Sequence, residues 1–254
     1  MGKELIKVTV LEYLKEKEHI TIPSHEFSYK PVTNRDWIGE HCVCLKEFED
    51  FGSELVDILV ESECILEGHF ELLSGKHSQY FLRFSKIARY VHLYKPIAKR
   101  LTRAIRERNI EFDALLSPDT AGSALSYGIQ EECKETHIQL FTSKTDIRKR
   151  PTDEINFVDA APGTRVIIVN DMTTTGVGIE KLLRLAVSKE CIINGVVLFA
   201  NQDSSKTNIQ QVISSVVPYE VPLILMCEVN FPGIWDKDEC PLCPEQLICS
   251  YFLN

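Results

Sequence analysis

The chain has 254 residues, with 28 Lys and Arg against 37 Asp and Glu, for a formal net charge of −9. That length supports a full core without staples, the acidic balance argues against a nucleic-acid clamp, and no run approaches the ~20 apolar residues of a membrane helix. The Lys- and Glu-studded N-terminus lacks the apolar centre of an export signal, and nine cysteines, an odd count, point to a reduced, cytoplasmic setting rather than a disulfide framework.

Leu5, Val8, Leu11, Tyr13 and Leu14 form a stripe that predicts a helix over 4–18. Between 19 and 45, Pro23, Pro31, Asn34 and Gly39 punctuate short β-like runs, so residues 1–50 read as an N-terminal extension to a main domain over 51–254. Helical spacing returns at Phe51, Leu55, Ile58 and Leu59, runs on to Cys64, and recurs over 93–109. Strands and helices then alternate: a strand at 114–116, a helix over 122–134, a strand over 137–141, a polar and basic loop over 143–159, a strand at 166–169, a helix over 178–189 and a strand over 192–200. Short apolar strands alternating with helices predict an α/β fold with a mostly parallel central sheet covered on both faces.

The most informative stretch runs from Arg165 to Ile179. The apolar strand Val166–Val169 leads into Asn170 and Asp171, then Met172, three threonines (Thr173, Thr174, Thr175), Gly176, Val177 and Gly178. This order places backbone N–H groups and hydroxyls at a helix N-terminus, a natural phosphate site, with a carboxylate beside it that can accept hydrogen bonds from sugar hydroxyls. The C-terminal ends of parallel strands are also where open α/β sheets bind ligands. The dinucleotide fingerprint and the P-loop both fail to fit, the latter because no Lys follows the glycines.

This stretch resembles the phosphoribosyl-diphosphate (PRPP) signature of type I phosphoribosyltransferases. Gly68-His69-Phe70-Glu71-Leu72-Leu73-Ser74-Gly75-Lys76-His77-Ser78-Gln79-Tyr80-Phe81 resembles the N-terminal signature of the orotate phosphoribosyltransferases. Leu116-Ser117-Pro118-Asp119-Thr120-Ala121-Gly122 is similar to that family's pyrophosphate loop, and Glu239-Cys240-Pro241-Leu242-Cys243 to the tail of some bacterial members. The resemblance implies a central sheet with flanking helices and a small hood built from the N- and C-terminal segments of the 51–254 domain. It implies that Asp171 and Asn170 meet the ribose, that Thr174, Thr175, Gly176 and Gly178 hold the 5′-phosphate, and that Asp119 and Thr120 shape the pyrophosphate loop. Tyr80 and Phe81 would lie over the base. The cations Lys144, Arg148, Lys149 and Arg150 would form a mobile catalytic loop reaching across a homodimer. The implied reaction displaces pyrophosphate, with Mg²⁺ on it, from the anomeric carbon of PRPP by a base nitrogen, orotate being the leading candidate. Its oxocarbenium-like transition state needs cations at the leaving group, which the basic loop offers.

Asn170 stands where the family has an acid, Val177 at a phosphate-loop position that usually holds Gly or Thr, and Ser117 in place of the glycine that usually opens the pyrophosphate loop. These departures define the alternative of a non-catalytic PRPP or nucleotide sensor, or a partner-binding subunit. Cys240-x-x-Cys243 has zinc-knuckle spacing, and Cys42-x-Cys44 could supply two more thiolates to a four-cysteine zinc site, with His41, Cys227 and Cys249 in reserve. Ordinary buried thiols are the competing reading. An extension holding Phe27, Tyr29, Trp37 and Ile38 is too short for a core of its own and is expected to cover the hood or a partner subunit.

Overall fold

Val166, Ile167, Ile168 and Val169 are fully buried at the centre of the larger of two sheets. The structure, a computed structural model, describes residues 29–72, 75–119, 121–134, 137–146, 151–156, 160–202, 208–244 and 248–250. The helix expected over 4–18, Phe27, Thr120, Arg148, Lys149 and Arg150 lie outside the described residues. In chain order the elements are β1 (Lys30–Pro31), α1 (Arg35–His41), β2 (Cys42–Cys44), a 3-10 turn (Lys46–Phe51), α2 (Gly52–Glu61), β3 (Ile65–Glu71), β4 (His77–Leu82), α3 (Phe84–Ala88), α4 (Val91–Glu107) and β5 (Ala114–Pro118). There follow α5 (Ala121–Cys133), β6 (Gln139–Thr145), β7 (Pro151–Ile155), β8 (Arg165–Thr173), α6 (Val177–Ser188), β9 (Ile192–Gln202), α7 (Ile209–Val216), β10 (Leu223–Val229), β11 (Ile234–Trp235), a second 3-10 turn (Lys237–Glu239) and β12 (Cys249–Ser250).

The larger sheet has the order β2-β10-β9-β8-β5-β6-β7. Its five inner strands are parallel and its two edge strands antiparallel. Because strand side chains alternate between faces, each apolar strand feeds two cores. Ile167, Val169, Leu115, Val197 and Phe199 join one, with α2 and α4; Val166, Ile168, Leu116, Val196 and Leu198 join the other, with α6 and α7. This two-sided burial is why these strands read as unbroken apolar runs in the sequence.

The smaller sheet has the order β1-β3-β4-β11, with β12 alongside β3. Its strands come from both ends of the chain, and its own core is Leu66, Phe70, Leu72 and Phe81. Residues 30–48 are woven into both sheets: β1 pairs with β3, β2 pairs with β10, and Ile38, Cys42 and Phe48 share one core with Leu55 and Phe199. Trp37 on α1 packs against Tyr80 of β4 at 4.6 Å and Phe231 at 5.7 Å between ring centroids.

Two expectations change. The strand expected to end at 169 runs to Thr173, because β9 continues beside it and pairs Met172 with Ala200 and Thr173 with Asn201. The polar loop expected over 143–159 is in part an antiparallel hairpin, with Ser143 opposite Ile155 and Thr145 opposite Pro151. Phe141 and Ile155 are buried in the same core, which holds the two arms to the sheet.

Candidate functional site at the strand ends

The junction of β8 and α6 is built by internal hydrogen bonds. Asn170 is buried; its Nδ2 donates to the Met172 carbonyl at 3.0 Å, and its Oδ1 accepts the Asp171 backbone N–H at 3.0 Å. Asp171 is half-buried, and the cost of removing its charge from water raises its carboxyl to about 6, against partial relief from backbone N–H donors at Met172 and Asp171 itself. The Thr173 hydroxyl accepts the Gly176 N–H at 3.1 Å. Gly176 takes a left-handed conformation, φ +76°, which suits glycine and turns the chain into α6. The first-turn N–H groups of α6 have no partner within the helix, so this end carries partial positive charge. Thr174 is half-buried and Thr175 exposed beside it, while Val177, 49% exposed, points away from the core.

The start of α5 lies against this junction. A Cβ on Gly122 would stand 3.0 Å from Asn170 Oδ1, so the start of α5 approaches the β8 end closely and a side chain there would displace the Asn170 amide. Asp119 is exposed, its N–H donates to the Ser143 carbonyl at 3.0 Å, and its Oδ2 accepts from Asn156 Nδ2 at 3.3 Å. Among the described residues, Ser117 Oγ, Ser143 Oγ and both side-chain polar atoms of Gln202 are buried without a hydrogen-bond partner. They lie near the C-terminal ends of β5, β6 and β9. Buried polar atoms are usually paired, and these three residues stand at the end of a parallel sheet where open α/β folds bind ligands.

Lys144, near the end of β6, is exposed and forms an ion pair with Glu154 of β7 at 2.5 Å. That ammonium holds the Glu154 carboxyl below the usual carboxylate range. Tyr80 and Phe81 point to opposite faces of β4. Phe81 is buried and stacks on Phe70 at 5.5 Å, whereas Tyr80 lies half-buried against Trp37. Phe81 therefore sits inside the hood, not on its surface, a consequence of strand alternation that spacing alone leaves open.

The expected four-cysteine set does not assemble. Cys42 and Cys44 stand on β2, opposite Val229 and Cys227 of the larger sheet. Burial pushes Cys44 up to about 11 and Cys42 and Cys227 higher still, the behaviour of inert core thiols. His41 Nδ1 is 2.8 Å from the Trp37 carbonyl and its ring stacks on Trp37. The Cys249 side chain lies outside what the structure describes. Cys240 and Cys243 instead meet His69 and His77, and the four ligand atoms lie within 4.8 Å of one another. Spacing between motifs carried no sign of this pairing, nor of the contributions of Gly122, Asn156 and Gln202. Both histidines stood in view within the 68–81 stretch, eight residues apart.

The chain is 30% identical over 192 residues to the orotate phosphoribosyltransferase of Campylobacter jejuni subsp. jejuni serotype O:23/36 (strain 81-176), covering 74% of this chain and 92% of that one. It is 27% identical over 192 residues to the orotate phosphoribosyltransferase of Thermoanaerobacter sp. (strain X514), covering 76% and 92%. Among solved structures, the orotate phosphoribosyltransferase of Aeropyrum pernix shares the fold, with a TM-score of 0.51, 18% identity and coverage of 69% of this chain and 93% of that one. No protein-family model matches the chain. Among the described residues, no helix is long and apolar enough to cross a membrane.

Proposed function

The chain belongs to the orotate phosphoribosyltransferase family, and from that premise we propose that it transfers the ribose 5-phosphate of PRPP to orotate and releases pyrophosphate. The observation that carries this reading is the β8–α6 junction, where a half-buried carboxylate adjoins a glycine-turned helix start. Asp171, ionised at neutral pH, accepts the ribose hydroxyls, while Asn170 holds the turn. Thr174, Thr175 and the N–H groups from Gly176 through Gly178 receive the 5′-phosphate dianion. Asp119 shapes the pyrophosphate side with Thr120, and Mg²⁺ arrives with the diphosphate as part of the substrate.

In the reaction the C1–N bond to the base forms as the C1–O bond to pyrophosphate breaks, the bonding pair leaves with pyrophosphate, and the N–H proton of the attacking ring nitrogen is released to solvent. Positive charge develops on the sugar and negative charge on the leaving oxygens. Lys144, Arg148, Lys149 and Arg150 are placed in the sequence to meet that negative charge, and the loop joining β6 to β7 serves the neighbouring site of a homodimer. Tyr80 covers the base, supported by Trp37 behind it; Phe81 buttresses it from the hood core.

The departures that suggested a non-catalytic relative have a place in this reading. The Asn170 amide is occupied in holding the backbone, a task a carboxylate could not perform. Val177 is exposed and does not crowd the turn. The test is pyrophosphate release from PRPP and Mg²⁺ with orotate, uracil, adenine and no base. Orotate-dependent release with formation of the nucleotide is expected. No release with any base would overturn the proposal, and release with another base would transfer it to that substrate.

A further inference from the structure

We propose that His69, His77, Cys240 and Cys243 form a structural zinc site that clips the tail of the chain to the hood hairpin. His69 Nε2 and His77 Nδ1 are 3.0 Å apart. Cys240 Sγ lies 3.4 Å from His69 Nε2, and Cys243 Sγ lies 3.2 Å from His77 Nδ1 and 3.9 Å from His69 Nε2. Zinc bonds of about 2.0–2.1 Å to nitrogen and about 2.3 Å to sulfur, arranged tetrahedrally, separate the ligand atoms by about 3.3–3.8 Å. Four of the six separations, from 3.0 to 3.9 Å, bracket that figure and all six fall within 4.8 Å, so no large movement is needed to seat an ion between them.

The backbone explains the convergence. A register shift between Glu67 and Phe70 breaks the β3–β4 pairing, and it resumes with Phe70 opposite Ser78 and Glu71 opposite His77. His69 lies within the shifted stretch and His77 at the resumed pairing, and their ring centroids stand 4.9 Å apart. The 3-10 turn Lys237–Glu239 then delivers Cys240, and the Cys243 N–H donates to the Cys240 carbonyl at 3.4 Å, folding Cys-Pro-Leu-Cys into a tight turn. His69, His77 and Cys240 are buried and Cys243 lies at the rim, so an ion can enter from one side.

The donor set selects the metal. Two imidazoles and two thiols favour a borderline-soft, tetrahedral ion, which fits zinc and excludes magnesium and calcium. On binding, both thiols release protons to solvent, and two thiolates neutralise the dication, so the buried centre carries no net charge. Four protein ligands close the coordination sphere, which makes the site a brace and not a catalyst. Its ligands join β3 and β4 to a segment more than 160 residues later in sequence. Neither the Asp171 junction nor the identity of the base enters this inference, so it stands or falls apart from the proposed reaction.

The experiment is metal analysis of the full chain purified under reducing conditions, with and without added zinc, followed by cobalt replacement. About one zinc per chain is expected, with thiolate-to-cobalt charge-transfer bands and strong visible bands from a tetrahedral cobalt centre. His77→Ala and Cys243→Ser should each weaken zinc binding at least tenfold, while the double variant Cys42→Ser, Cys44→Ser should keep a full complement. Should the ligand variants fail to fold, the cobalt spectrum of the unaltered chain decides the matter. Less than about one tenth of a zinc per chain together with octahedral cobalt bands would overturn the site. So would unchanged zinc affinity in His77→Ala and Cys243→Ser, or a Cys240–Cys243 disulfide in protein prepared with reductant.

Discussion

The amide of Asn170 donates to the Met172 carbonyl and accepts the Asp171 N–H, both at 3.0 Å, so one side chain ties three consecutive residues of the turn. Only a group with both a donor and an acceptor can do this, and a carboxylate has no donor. Asn170→Asp is therefore expected to harm this protein. It should lower stability by about 1–3 kcal/mol by setting a buried carboxylate against the Met172 carbonyl, and kcat/KM should fall. Denaturant midpoints and steady-state rates test this; a variant both as stable and as fast as the parent would contradict the assignment.

Asp171 should govern PRPP binding. Asp171→Ala should weaken it by more than about tenfold, or about 1.4 kcal/mol, in calorimetry with Mg²⁺ present. Because burial raises the carboxyl from 3.8 to about 6, PRPP affinity should rise with pH through about 6 and level off above it. Stability should move the other way. The folded state holds this proton more tightly than the unfolded state, so the Asp171 contribution declines as pH rises from 3.8 to about 6. Asp171→Asn should remove both dependences, and retention of either would assign it to another group.

The basic stretch over 144–150 should act on the leaving group. Lys144→Ala and Arg148→Ala are expected to lower kcat far more than they raise KM, because the new charge on pyrophosphate exists fully only late in the reaction. Equal kcat in both variants and the parent would remove the loop from the mechanism. A change confined to KM would make it a binding element.

At the opposite end of β8, Arg165 holds Asp113 through two guanidinium bonds, Nε at 2.9 Å and Nη2 at 2.7 Å. The Arg165 side chain is the main reason the Asp113 carboxyl falls to about 2. Its folded value lies below its unfolded value, so its stabilisation is complete above pH 3.8 and is lost as pH falls toward about 2. Both side chains are 37% exposed, so the effect should be modest. Asp113→Asn should lower the urea midpoint at pH 6 and flatten its decline in acid; an unchanged acid profile would deny the pair this role.

The proposed function calls for a homodimer, since a loop that completes a neighbour's site leaves a monomer incomplete. Sedimentation at micromolar concentration should give twice the 29.0 kDa chain mass. A mixture of two inactive variants, Asp171→Ala and Arg148→Ala, should regain up to about a quarter of the activity by forming sites with both residues intact. A fully active monomer would exclude loop sharing.

Residues 165–179 show how much was legible in the sequence. An apolar run at period one, an acid, threonines and a glycine are local signals, and local sterics and hydrogen bonding suffice to make strand, turn and helix from them. The parallel sheet followed for the same reason, since strands buried on both faces must be apolar throughout. What depended on partners distant in sequence was decided only by tertiary structure. Strand pairing with β9 carried β8 on to Thr173, and the hairpin made by β6 and β7 replaced part of an expected loop. Side-chain alternation sent Phe81 into the hood core and Tyr80 to Trp37. The cysteines make the contrast sharpest. Two short Cys-rich motifs looked like halves of one site, but a metal site is chosen by which ligand atoms converge in space. The β3–β4 hairpin set two histidines beside Cys240 and Cys243, while edge pairing with β10 took Cys42 and Cys44 into the other sheet.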